Sequence, residues 1–321
     1  MPALDFPLET LKTYKGSSPR PKDFDTYWDN AIKEMHAMGT NYTTEPAKFS
    51  APGVICEYLY FTGVGGAKVC CRYLRPEKID GKIPAVAMFH GYSGDSGGWF
   101  DKLPYAYAGF VVLALDVRGQ MGFSEDTFVT TGSTCRGHII RGLDDAGGPN
   151  NLFFRNVFLD TAQTARVLMD MDFVDENRVG ALGGSQGGAL AITCAALEPR
   201  VNKAVSVFPF LSDYRRVWDM DLCKGAYDEL SYYIRHRDPR QQNMDAMFER
   251  LGYIDVSNLA SRIKGETYMF LSLLDDICPP STQFAVYNNL AAKKRCEIYP
   301  NHGHEGLPEQ NELAFEFFLG M

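Results

Sequence analysis

The chain has 321 residues, of which 45% are hydrophobic and 22% charged, with a formal net charge of −8. That length buries a sizeable core, and one α/β domain carrying an insertion fits it better than two small domains. The acidity, with no run of Lys or Arg, excludes nucleic acid and anionic membranes as partners, because both demand clustered cations.

The opening residues Met1-Pro2-Ala3-Leu4-Asp5 lack a charged segment followed by an apolar one, and nowhere do about 18 apolar residues run together. A cytoplasmic protein is therefore expected. Eight cysteines (Cys56, Cys70, Cys71, Cys135, Cys194, Cys223, Cys278, Cys296) fall mostly in apolar runs. Buried free thiols are expected rather than disulfides, and no Cys-x-x-Cys pair suggests zinc.

In chain order, Pro19-Arg20-Pro21 stiffens the lead into a helix from about residue 23, where Phe24, Trp28, Ile32 and Met35 recur at helical spacing. This forms part of an N-terminal helical extension over about 1–50. Residues 54–61 and 68–74 are rich in β-branched and aromatic side chains, with Gly63-Val64-Gly65-Gly66 between them. They predict an antiparallel hairpin opening a sheet.

From residue 83 the pattern changes to short continuous apolar runs at 83–89, 110–115, 178–182, 201–208, 267–274 and 296–299. Such runs are expected of parallel strands covered on both faces. Helices are expected near 99–108, 155–171, 186–197, 281–292 and 309–319. Two stretches break the rhythm. Residues 121–152, with Gly132, Gly137, Gly142, Gly147, Gly148 and Pro149, make a long connection of the kind that is functional or interfacial. Residues 212–257, with Tyr214, Trp218, Tyr227, Tyr232, Tyr233 and Phe248, form a helical insertion placed to act as a lid.

The stretch Val179 to Gly188 carries the chemistry. Gly183, Ser185 and Gly187 match Gly-x-Ser-x-Gly between a strand and a helix, the setting of a nucleophile elbow. A serine hydroxyl needs a base, an orienting acid and an oxyanion hole. Downstream, Asp275-Asp276 follows one strand and His302-Gly303-His304 another, giving the order Ser, acid, His of the α/β-hydrolase fold. Spacing leaves Asp275 against Asp276 and His302 against His304 open. One oxyanion donor is expected from the backbone N–H of Gln186 and the other from the loop after strand 83–89, at Tyr92. His90 is read as shaping that loop, and Asp116-Val117-Arg118-Gly119-Gln120 as a turn brace.

Arg118-Gly119-Gln120, Gly183-Gly184-Ser185-Gln186-Gly187-Gly188 and His304-Glu305 resemble the signature of the cephalosporin C deacetylase and acetyl xylan esterase family. So do Pro21-Lys22-Asp23-Phe24-Asp25-Thr26-Tyr27-Trp28, the segment 275–282 ending in Pro-Pro-Ser-Thr, and 303–308. The resemblance spans nearly the whole chain; Asn301-His302 departs from it, since an aromatic or aliphatic residue is expected near His302. It implies Asp275 as the acid, His304 as the base, and Tyr92 and Gln186 as oxyanion donors. It also implies a hexameric ring, a trimer of dimers, with 121–152 as an interface.

The expected activity is deacetylation of acetylated sugars, such as xylo-oligosaccharides, and of cephalosporin C-like esters, without cofactor or metal. Rivals are a prolyl-oligopeptidase-type serine peptidase, though no repeat of about 40 residues signals its propeller, and another short-chain carboxylesterase. A metal hydrolase would use Asp275, Asp276, His302 and His304, and leaves the elbow unexplained. An inactive scaffold would have lost the triad, whose members are all present.

Overall fold

Apolar runs buried on both faces dictate a sheet sandwiched between helices. A computed structural model describes residues 4–131 and 137–321. Gly132 and Cys135, which belong to the readings above, lie outside the described residues. Among the described residues nine strands form one sheet: β1 Tyr42–Pro46, β2 Val54–Thr62, β3 Lys68–Pro76, β4 Ile83–Phe89, β5 Val111–Leu115, β6 Val174–Gly184, β7 Lys203–Val207, β8 Glu266–Ser272 and β9 Lys294–Tyr299. Their order is β1-β2-β3-β5-β4-β6-β7-β8-β9. The expected hairpin is β2–β3, antiparallel from Val54↔Pro76 to Thr62↔Lys68. From β5 to β9 every pairing is parallel.

Side chains alternate across the sheet: Ala85 and Ala87 of β4 join one apolar cluster, while Val86 joins the other. The helices Phe153–Met169 and Gln186–Leu197 cover the first face, the former with every residue but Arg166 buried and the latter buried throughout. Leu103–Tyr107 and Gln310–Leu319 cover the second. Beyond β4 the sheet grows first towards β5 and then, on the other side, from β6 to β9. Open α/β sheets hold ligands at the strand C-termini beside such a reversal.

Some elements differ from expectation. β1 is an additional edge strand whose five residues are all exposed, so no buried alternation announces it. The extension over about 1–50 is accordingly a short helix Leu8–Leu11, the helix Phe24–Ala37 and then this strand. The stripe in Phe24–Ala37 buries Phe24, Trp28 and Met35, joined by Tyr27 and Ala31. Trp28 Nε1 donates to Tyr253 O at 3.0 Å and Tyr27 Oη to Pro149 O at 2.8 Å, which docks the helix on both irregular stretches. The helix expected at 99–108 is instead a 3-10 turn, Phe100–Lys102, followed by Leu103–Tyr107. Pro104, lacking an N–H, sits in the first turn of the second piece.

Between β7 and β8, where the insertion is expected, lie the helices Tyr214–Asp219, Asp228–Arg237, Met244–Leu251 and Val256–Leu259. The seven described cysteines are free thiols, five of them buried. Among the described residues no helix is long and apolar enough to cross a membrane.

Candidate active site

β6 passes into the helix Gln186–Leu197 through Ser185 alone, at φ 57° and ψ −120°. Few non-glycine residues adopt a positive φ, and one that does is held there by its surroundings. Here Ser185 N–H donates to Val207 O and Ser185 O accepts from Phe210 N–H, both at 3.0 Å. The flanking glycines follow from close approach of backbone. A Cβ on Gly183 would lie 2.3 Å from Gly187 C, one on Gly187 2.0 Å from Phe89 O, and one on Gly188 2.6 Å from Val207 O. Gly184 is different, with its nearest atom at 3.7 Å, so a side chain is tolerated there.

Ser185 Oγ lies 3.0 Å from His304 Nε2, and His304 Nδ1 lies 2.8 Å from Asp275 Oδ2. Asp275 is fully buried in the turn after β8, and its Oδ1 accepts from Ile277 N–H at 2.9 Å and Cys278 N–H at 2.7 Å. These amides satisfy one carboxylate oxygen; the other faces the imidazole and also accepts from Gln283 Nε2 at 3.5 Å. The two alternatives left open by spacing go elsewhere. Asp276 pairs with Lys224 Nζ at 2.7 Å, which holds its carboxyl below the usual range. The His302 ring packs edge-on to Tyr299, and its carbonyl accepts from Leu274 N–H at 3.0 Å.

The loop after β4 approaches the same corner. His90 Nδ1 donates to Gly91 O at 2.8 Å while its Nε2 accepts from Val117 N–H at 3.0 Å, a neutral tautomer favoured by burial, which pushes its pKa down. Gln120 ties the residue after Tyr92 to the Gln186 side chain: its Oε1 accepts from Ser93 N–H at 3.0 Å and its Nε2 donates to Gln186 Oε1 at 2.7 Å. Gln186 is the first residue of its helix, where the backbone N–H has no acceptor within the helix. Arg118 does not reach the site. Its guanidinium is buried against Asp160, with both contacts at 2.6 Å, and donates to Val64 O at 2.9 Å.

Two residues at the site gave no signal of this kind in the sequence. Cys278 is fully buried, and burial pushes its thiol far up, so it is protonated. Asp275, Cys278 and His304 each offer a ligand atom within 4.8 Å of the others. This trio differs from the carboxylate and histidine quartet expected of a metal site. Glu229, from the insertion, accepts from Tyr92 Oη at 2.8 Å. The sequence marks Glu229 only as one acid in a polar helix.

The reversal of sheet growth beside β4, the sharp turn at Ser185 and the convergence of the ends of β4, β6, β8 and β9 define an α/β-hydrolase. The chain belongs to the acetyl xylan esterase (AXE1) family, whose model matches residues 1–320, and it is a carboxylic ester hydrolase. It is similar to the crystal structure of acetyl xylan esterase 1 from Thermoanaerobacterium sp. JW/SL YS485, with 52% identity and a TM-score of 0.96 over 98% of this chain and 99% of that one. An acetyl xylan esterase from Paenibacillus sp. R4 gives 33% identity and a TM-score of 0.93 over the same shares, 98% and 99%. Acetyl esterase Axe7A of Xylanibacter ruminicola is 28% identical over 316 residues, which cover 95% of this chain and 68% of that protein.

Proposed function

We propose that the protein removes acetyl groups from acetylated xylo-oligosaccharides by a serine mechanism, and that it accepts cephalosporin C-like acetates. The carrying observation is the chain of contacts from Ser185 Oγ through His304 to Asp275, at 3.0 and 2.8 Å. Ser185 Oγ attacks the acetyl carbonyl carbon as His304 Nε2 takes its proton. Asp275 fixes the imidazole tautomer and stabilises the imidazolium. The oxyanion forms against the backbone N–H groups of Tyr92 and Gln186, each worth about 3 kcal/mol in sites of this type. Collapse expels the sugar hydroxyl, which takes the proton from Nε2, and water then cleaves the acetyl-enzyme by the same steps.

We further read 1–321 as a single domain with 212–257 as a lid-like insertion and 121–152 as an interface of a hexameric ring. Exposure of Met121, Phe123 and Val129, at 77%, 61% and 88%, supports an interface there. A cytoplasmic location is supported by the seven free thiols. Light scattering is expected to give a mass of roughly 215 kDa, six times 35.9 kDa.

The deciding experiment compares chromogenic acetate, propionate and butyrate esters, with Ser185→Ala as control. A steep fall after acetate, loss of turnover in the variant, and labelling of Ser185 by a serine-directed phosphonate are expected. Retained turnover in Ser185→Ala would overturn the mechanism, and equal rates on all three esters would leave a general short-chain carboxylesterase.

A further inference from the structure

Three segments far apart in the chain meet at one buried carboxyl group. Glu229 lies on the helix Asp228–Arg237 of the insertion and is 1% exposed. Its Oε1 accepts from Tyr92 Oη at 2.8 Å, and its Oε2 accepts from Ile140 N–H at 3.0 Å. The same Tyr92 Oη accepts from His138 N–H at 3.0 Å. Space there is tight, because a Cβ on Gly137 would lie 2.5 Å from Glu229 Oε1 and 2.8 Å from Tyr92 Oη. The Tyr92 ring packs on Phe210 and, edge-on, on His138, with centroids 5.5 and 5.9 Å away.

The far end of the Tyr92 side chain is thus clamped, while its near end carries the peptide N–H read as an oxyanion donor. The adjoining residue is clamped too: Ser93 has φ 59° and its N–H donates to Gln120 Oε1 at 3.0 Å. An N–H donor stabilises an oxyanion only if it is aimed before the charge develops. A loop peptide has no sheet or helix to aim it, so its direction rests on these tethers.

We infer that Glu229 is a positioning residue for the reaction, holding the Tyr92 peptide N–H in the oxyanion site through the Tyr92 phenol. It makes the insertion and the 137–140 segment part of the catalytic geometry rather than covers over it. The inference rests on the reading of Tyr92 as an oxyanion donor.

The test uses Tyr92→Phe, Glu229→Gln and the double variant, all near-isosteric. Rates on a chromogenic acetate are expressed per site titrated to completion with a serine-directed phosphonate, so unfolded protein does not count. Each single variant is expected to lower kcat about tenfold with KM within about twofold, the pattern of an interaction made in the transition state. The double variant is expected to lose no more than the worse single, as for two links of one tether. An unchanged kcat per titrated site in Glu229→Gln, a rise in KM alone, or losses that multiply in the double variant would each overturn the inference. Failure of the underlying serine mechanism is distinguished by Ser185→Ala, which would then retain turnover and take no phosphonate.

Discussion

At the scale of single residues, the turn at Ser185 is bought with side chains its neighbours do not have. Gly187→Ala would drive a methyl group to 2.0 Å from Phe89 O, so either the end of β4 or the start of the helix must shift. Overpacking of that kind costs about 1–3 kcal/mol. A Tm fall of several degrees together with a large loss of kcat is expected. Gly184→Ala, with its nearest atom at 3.7 Å, is expected to change stability by no more than about 0.5 kcal/mol. Equal effects of the two in thermal scans would refute this account of the motif. Asp275→Asn tests the acid. Asn keeps the shape and one carbonyl oxygen for the amides of Ile277 and Cys278, but turns an N–H₂ towards His304 Nδ1. The imidazole must then carry its proton on Nε2, facing Ser185, where it can no longer accept. A kcat loss on the order of 10⁴ with the fold intact by circular dichroism is expected. A loss under tenfold would remove Asp275 from the mechanism.

At the scale of elements, Arg118 and Asp160 lock the end of β5 to the helix Phe153–Met169 by a buried two-contact pair, both contacts 2.6 Å. Arg118→Met leaves Asp160 buried without its counter-charge, and a loss of about 3–5 kcal/mol in urea unfolding is expected. Arg118→Met with Asp160→Leu is expected to recover most of it, because the pair's own desolvation is removed as well. A double variant as unstable as the single would show that the guanidinium's bond to Val64 O dominates instead. This element pair also marks what the sequence could tell. Arg118 is legible as a brace at a strand end, but its partner lies 42 residues on, and only the packed helix brings them together. Strands written as apolar runs are legible, as is the helix Gln186–Leu197, found at its expected bounds. β1 is not, since an edge strand with five exposed residues carries no burial pattern. The order Ser, acid, His is legible, but spacing leaves Asp275 and Asp276 open. In the structure Asp275 lies against His304, its other oxygen held by two following amides, while Asp276 pairs with Lys224. Glu229 was illegible because its role needs Tyr92 and Ile140, respectively 137 and 89 residues away.

At the scale of the whole molecule, stability should depend on pH through carboxyl groups buried in the insertion. Burial pushes Glu229 from its ordinary 4.5 up to about 7, against the lowering effect of the bonds it accepts from Ile140 N–H and Tyr92 Oη. Burial likewise raises Asp255 to about 6, with the nearby Asp213 adding to the shift. In each case the folded state holds a proton that the unfolded chain releases at a lower pH. Their contribution to stability is therefore complete below about pH 4 and shrinks as pH rises through the window up to about 7. A shift of that size for Glu229 corresponds to roughly 3 kcal/mol over the window. Carboxyls held low, such as Glu198 beside Arg200, act in the opposite sense and lose their contribution on acidification. A difference measurement isolates Glu229 from them. Glu229→Gln cannot titrate, so the stability of the unmodified protein minus that of the variant should decrease as pH goes from 5 to 8. Urea midpoints at four pH values in that range read this directly. A difference that stays flat, or that grows with pH, would mean that Glu229 is ionised in the folded protein throughout. The carboxylate clamp on Tyr92 would then carry a full charge, and the insertion would be held to the loop by an anion rather than by a proton-sharing acid.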